Sequence, residues 1–155
     1  MAEIRYIRDI MKKDVVSMPP DKLAMDAAKK MSEKKISCVV VTVKGKPKGL
    51  ITERDFIRRV IAAKKDPEKL KLKDIMTKDP IVLEPDTTIV HAARVMKKRN
   101  IRRFPVVNKG VLVGIITETD ILDGMIETIK HLNWKLVNTR MAMEEFMNQI
   151  DSLLM

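Results

Sequence analysis

The sequence predicts a mixed α/β (α+β) fold built from two copies of one β-α-β-β-α unit. The two copies pack about a pseudo-twofold axis and are followed by an amphipathic helical extension. Three observations predict this. Shifted by 65 positions, the chain matches itself: 19 of the 47 residue pairs between positions 9 and 55 and positions 74 and 120 are identical without a gap. Within each copy, apolar residues recur first at helical spacing and then in short β-branched runs bounded by turn residues. Beyond the repeat, residues 124–155 carry a separate apolar stripe. The reading divides the chain into a first repeat at 5–61, a polar linker at 62–71, a second repeat at 72–123 and a helical tail at 124–155.

The elements follow in order. Val15-Val16-Ser17 and Ile81-Val82-Leu83 are short strands, and Pro20-Asp21 and Pro85-Asp86 are turn signals. A helix follows in each copy, marked by Leu23, Ala24, Ala27, Ala28 and Met31, or by Ile89, Ala92, Ala93 and Met96. Basic residues close it (Lys34-Lys35; Lys97-Lys98-Arg99), as the negative end of a helix dipole favours. Then come a strand at Cys38–Val43 or Phe104–Val107, a glycine turn at Gly45 or Gly110, and a strand running into Ile51 or Ile116. Thr52 and Thr117 open the second helix. In the tail, Ile129, Leu132, Leu136, Met143, Met147, Ile150 and Leu154 form one stripe, with a break expected near Asn138-Thr139.

At 155 residues with 45% hydrophobic content, the chain can bury a core. It has one cysteine, Cys38, and two histidines, His91 and His131, which exclude an internal disulfide and a Cys/His zinc site. Cys38 reads as a small core residue, His91 as a helix-surface residue, and Trp134 as an anchor in a helix interface. No transmembrane run or signal peptide is visible, so the expectation is a soluble, cytoplasmic protein. The net charge is +10 and uneven: residues 1–65 hold 17 basic and 8 acidic groups. That half attracts anions, whether nucleotides, nucleic acid or an acidic protein, unless it is simply a lysine-rich solvated surface. Aromatics at 3% argue against a reader built on base stacking. No Ser-His-Asp or Cys-His set, metal cluster or P-loop is present, so neither catalytic residues nor a metal are expected.

The feature that bears chemistry is Gly49-Leu50-Ile51-Thr52-Glu53-Arg54-Asp55, repeated as Gly114-Ile115-Ile116-Thr117-Glu118-Thr119-Asp120. Thr-x-x-Asp at a helix start is a capping box, in which threonine accepts from the third amide and aspartate bonds back. The same geometry suits a ligand. Free N–H groups at a helix start attract phosphate or hydroxyl oxygens, and an aspartate offers two acceptors to the vicinal hydroxyls of a ribose. Gly49 and Gly114 would let a ligand come close to the backbone.

These paired motifs, with the Asp9-Ile10-Met11 and Asp74-Ile75-Met76 openings and the Ile101-Arg102-Arg103-Phe104-Pro105-Val106-Val107 strand, resemble tandem cystathionine-β-synthase (CBS) domains, a Bateman module. The resemblance spans residues 5 to about 123. It implies a stand-alone regulatory module without catalysis that binds adenosyl ligands (AMP, ADP, ATP, S-adenosylmethionine, sometimes NAD) in two clefts between the repeats. It implies that the motif aspartate holds the ribose and that the other repeat walls in the adenine. Carried over, one cleft combines Thr117 and Asp120 with Val16, Ile36 and Ser37, and the other combines Thr52 and Asp55 with Ile81, Ile101 and Arg102. The resemblance makes Arg102 and Arg103 phosphate candidates, with Arg54 beside them. Adjacent strand residues point to opposite faces, so one of Arg102 and Arg103 is expected in the cleft unless the backbone bends there. Repeat 1 departs from the pattern, with Ser37 and Cys38 in place of the two arginines and Val40 in place of Pro105. The clefts are therefore unequal, and one is open to being empty or to taking a different ligand.

The leading functional expectation is a nucleotide-binding regulatory module that relays occupancy to a protein client or across a homodimer. No cofactor is required. The tail stripe, too long for a domain of this size to cover, favours self-association. The alternative is a nucleic-acid-binding protein that uses the basic first half. No membrane partner is expected.

Overall fold

The computed structural model describes residues 6–154, with side chains to residue 150. The expected start of repeat 1 at residue 5, the stripe side chain of Leu154 and the last residue of the tail lie outside the described residues. Repeat 1 contains β1 (Ser17–Met18), α1 (Ala24–Lys34), β2 (Cys38–Val43), β3 (Lys46–Thr52) and α2 (Glu53–Phe56), the last continued by a π-helical turn at Ile57–Ile61. Repeat 2 contains α3 (Leu72–Ile75), β4 (Thr77–Lys78), α4 (Ile89–Arg99), β5 (Arg103–Asn108), β6 (Val111–Thr117) and α5 (Glu118–Leu154). A 3₁₀ turn at Ile7–Asp9 matches α3.

The hairpins follow directly from the turn residues. Lys44-Gly45 and Lys109-Gly110 have positive φ at both central positions (49° and 75°; 50° and 80°). Such turns match the right-handed twist of the strands they join, and glycine takes the second position without steric cost. Both hairpins carry an irregularity at the same place, between Val41 and Thr42 and between Val106 and Val107.

The two repeats exchange their openings. β1 runs parallel to β2, β2 pairs antiparallel with β3, and β4, which opens repeat 2, pairs antiparallel with β3 of repeat 1. The mirror arrangement holds on the other side. Lys12 bridges Ile115 of β6 antiparallel, and Leu83 bridges Val106 of β5 in parallel. The apolar residues confirm the exchange. Ile7 of repeat 1 is buried with Leu83, Phe104, Ile116 and Ile121 of repeat 2. Leu72 and Ile75 of repeat 2 are buried with Ala24, Val41 and Ile51 of repeat 1. A third cluster closes the seam, where the equivalent residues Leu50 and Ile115 meet beside Val40. Charges repeat the pattern, with Asp21 paired to Lys73 at 2.8 Å and Asp86 paired to Arg8.

Two details differ from the sequence reading. The expected strands at 15–17 and 81–83 pair later, at Ser17–Met18 and at Leu83 alone. The reason is where the partner strand offers its groups: the Val40 amide donates to Val16 O, and Leu83 exchanges bonds with Pro105 O and the Val107 amide. Val15, Val16, Ile81 and Val82 thus precede the ladder. The expected break near Asn138-Thr139 is also absent, and α5 is one continuous helix of 37 residues crossing position 123. Thr139 causes no break because its hydroxyl donates to Lys135 O at 2.8 Å, inside the helix it was expected to interrupt. Beyond the domain the stripe lies open, with Ile129 64%, Leu136 70% and Met143 65% exposed. No helix among the described residues is long and apolar enough to cross a membrane.

Candidate functional site

Asp55 and Asp120 are buried to 9% exposure, and with His131 they are the buried charged or titratable side chains among the described residues. Each motif folds as the capping box its spacing dictates. Asp55 Oδ2 accepts from the Thr52 amide at 2.8 Å and the Thr52 hydroxyl at 2.9 Å, and the Asp55 amide donates to Thr52 Oγ1. Asp120 Oδ2 accepts from the Thr117 amide at 2.8 Å and the Thr117 hydroxyl at 2.6 Å. One oxygen of each carboxylate is therefore engaged at its own helix start, and what differs is the partner of the other.

Asp55 Oδ1 faces Arg59 at 3.5 Å and lies on the wall of a cavity of about 590 Å³ between the repeats. Repeat 1 contributes Leu50, Thr52, Glu53, Arg54, Asp55, Arg58 and Arg59. Repeat 2 contributes Ile81, Ile101, Arg102 and Arg103, together with Thr77, Asp79, Pro80 and Asn100. All five residues expected for this cleft (Thr52, Asp55, Ile81, Ile101 and Arg102) are thus together, and Arg54 and Arg103 join them. Both Arg102 and Arg103 line the cavity, the outcome expected only where the backbone departs from the strand. β5 begins at Arg103, so Arg102 precedes the pleat and escapes its alternation.

The expected second cleft is assembled differently. Thr117 and Asp120 are together, but Lys12 Nζ lies 3.3 Å from Asp120 Oδ1. Ser37 is engaged by Arg103, whose Nη1 donates to Ser37 O at 2.8 Å and to Ser37 Oγ at 2.9 Å. Ile36 lines a separate shallow hollow with Ala28, Met31, Ser32 and Phe56. Val16 is half-buried ahead of β1.

The glycines of the motif serve the fold. A Cβ on Gly49 would stand 2.2 Å from Met76 Sδ, and one on Gly114 would stand 2.7 Å from Met11 Sδ and 3.1 Å from Lys12 O. The close approach expected for a ligand is made by the methionine of the exchanged opening. Arg58 and Arg59 were missed by the sequence reading. The signal lay in their spacing, since Arg58 follows Arg54 by four residues and Arg59 follows Asp55 by four, one helical turn each. Arg59 also donates to Ile75 O at 2.8 Å and Met76 O at 2.6 Å, which ties the π-helical turn after α2 to the opening of repeat 2. Cys38 is half-buried at the seam, and burial pushes its thiol up despite the nearby Arg103. His91 is exposed on α4, as expected, while Trp134 is exposed and stacks on His131 with ring centres 6.4 Å apart.

The family model described as "CBS domain" matches twice, at residues 7–62 and 72–127. The chain belongs to the CBS domain family. It is a tandem CBS pair, and such a pair is a regulatory module. It is 37% identical over 118 residues to an uncharacterized protein of Methanopyrus kandleri, MK0525, covering 75% of this chain and 60% of that relative's length. The hexameric CBS-CP12 protein from bloom-forming cyanobacteria superposes with a TM-score of 0.72 at 32% identity, covering 78% of this chain and 68% of that one. The CBS domain pair of MJ0100, solved in complex with 5′-methylthioadenosine and S-adenosyl-L-methionine, superposes with a TM-score of 0.70 at 30% identity, covering 77% and 94%.

Proposed function

We propose that this CBS pair is a non-catalytic sensor that binds an adenosyl ligand in the cleft built on Thr52 and Asp55. The observation that carries the reading is the convergence on one cavity of a buried carboxylate from repeat 1 and two isoleucines from repeat 2. Asp55 Oδ1 accepts from the ribose hydroxyls, displacing a long Arg59 contact at 3.5 Å, while both lone pairs of Oδ2 stay with Thr52. Ile81 and Ile101 flank the planar base. At about 590 Å³, the cavity lies in the range typical of small-molecule sites. The MJ0100 pair, related in fold and at 30% identity, carries two adenosyl molecules.

Because the walls come from both repeats, a bound ligand favours one relative orientation of them, to the extent of its differential affinity. The exposed face of α5 then carries the change to a second copy of the chain or to a client protein. Its apolar positions at 129, 132, 136, 143 and 150 follow the 3.5-residue period of a helix that pairs with another helix. The test is a thermal-shift series with adenosine, AMP, 5′-methylthioadenosine and S-adenosylmethionine. Binding to the folded state raises the melting temperature by mass action. A rise in the native chain that disappears in Asp55→Ala is expected. No rise with any adenosyl compound at millimolar concentration overturns the reading.

A further inference from the structure

The geometry points to a cleft that selects by phosphate count: the Asp55 cleft takes a nucleoside di- or triphosphate in preference to a monophosphate or an uncharged adenosyl compound. This rests on the adenosyl reading and adds the ligand's charge class. Five arginines line the cavity (Arg54, Arg58, Arg59, Arg102 and Arg103) against three acids (Glu53, Asp55 and Asp79). The internal repeat supplies the control. The positions 65 residues away from those arginines hold Thr119, Asp123, Gly124, Ser37 and Cys38, none of them cationic. Repeat 2 builds the equivalent wall without them, so Arg54, Arg58 and Arg102, which hold no backbone group in place, are not dictated by the shared fold.

Their engagements divide them into two groups. Arg59 and Arg103 are tied down, the first by Ile75 O and Met76 O and the second by Ser37. Arg102 lies 3.8 Å from Glu118 across an exposed pair. The side chains of Arg54 and Arg58 have no hydrogen bond or ion pair among the described residues and are exposed on the repeat 1 wall. Two free guanidiniums four residues apart on the repeat 1 wall, with Arg102 on the repeat 2 wall of the same cavity, present planar paired donors. Such donors fit phosphate oxygens bidentately, and more than one phosphate is needed to engage both walls. A monophosphate leaves some of these charges uncompensated, and a sulfonium such as that of S-adenosylmethionine adds to them.

Calorimetry on the full chain with adenosine, AMP, ADP, ATP and inorganic tripolyphosphate tests this. Affinity is expected to rise about tenfold with each phosphate beyond the first, the gain of one charge-assisted contact. One ATP per chain is expected, with binding weakened by added salt, whereas adenosine binding is indifferent to salt. Arg54→Ala with Arg58→Ala brings ATP down to the affinity of AMP and leaves adenosine unchanged. AMP binding as tightly as ATP, or ATP binding untouched by the double substitution, overturns the inference and leaves the adenosyl reading standing. Tripolyphosphate binding as tightly as ATP, with adenosine silent, overturns the adenosyl reading instead and leaves an anion site on the same arginines. Far-ultraviolet circular dichroism on the double variant verifies that it is folded.

Discussion

At the first cleft Thr77 stands where the second has Lys12, and this pair of residues decides what each motif aspartate meets. Both residues belong to the opening segment of the opposite repeat, and both sit in the same antiparallel pairing, Thr77 on Leu50 and Lys12 on Ile115. The lysine reaches Asp120 at 3.3 Å, while the threonine leaves Asp55 to Arg59 and to the cavity. The charges then diverge further. Position by position, the first cleft carries five arginines and the second none, with Asp123 where Arg58 stands. One duplicated backbone thus presents a basic groove on one side and a carboxylate already held by a lysine on the other. Duplication preserves the cap and the core, because each copy needs them to fold. The groove walls, where the shared fold leaves more freedom, are where the copies have separated.

The largest effect expected tests the exchange that builds both clefts. Ile7 and Leu72 are equivalent, fully buried and each embedded in the other repeat's core. Ile7→Ala and Leu72→Ala should each cost about 2–5 kcal/mol, the range for truncating a buried aliphatic side chain. Urea unfolding should show a single transition for both. A separate early transition belonging to one repeat would contradict the reciprocal packing.

Next, Gly49→Ala should destabilise the chain by about 1–3 kcal/mol, because Met76 Sδ, Cγ and Cβ all lie within 3.0 Å of the new Cβ and must shift. Equilibrium unfolding of Gly49→Ala alongside Gly49→Ala with Met76→Ala checks the cause, since shortening Met76 should recover part of the loss.

The two aspartates sharpen the comparison at the level of ligand. Asp55→Ala and Asp120→Ala each remove the same half of a capping box and leave the threonine cap bond in place, so each should lose a similar stability, on the order of 1 kcal/mol. Only Asp55→Ala should also lower adenosyl affinity, by at least about tenfold, roughly 1.4 kcal/mol. Equal loss of binding in both variants would erase the distinction between the clefts. The converse change, Lys12→Met, frees Asp120 Oδ1 and should leave binding at the Asp55 cleft unchanged in calorimetry.

The smallest effect concerns the cross-repeat ion pair. The Lys73 ammonium, with Lys71 behind it, holds the Asp21 carboxyl below its ordinary value. A lowered carboxylate contributes stability above its unfolded-state pKa and loses it as pH falls through the lowered value. Asp21→Asn should therefore flatten the acid limb of the melting curve slightly and leave neutral pH almost unchanged, because the pair is exposed. A large loss at neutral pH would mean the pair does more than an exposed salt bridge can.

What the sequence determined by itself is local or duplicated. Thr52-x-x-Asp55 and Thr117-x-x-Asp120 specify their caps within four residues, Lys44-Gly45 and Lys109-Gly110 specify their turns, and the 65-residue shift specifies two equivalent units. The resemblance in the motifs also grouped Thr52, Asp55, Ile81, Ile101 and Arg102, and all five line one cavity. Tertiary structure decided what depends on partners distant in the chain. Met76 fills the space that Gly49 vacates, Lys12 takes Asp120, and Arg103 crosses the seam to Ser37. The physical reason is the exchange of openings. It sets each repeat's first turn against the other's last strand, so the residues that complete each site are far apart in sequence and meet only when both halves have folded.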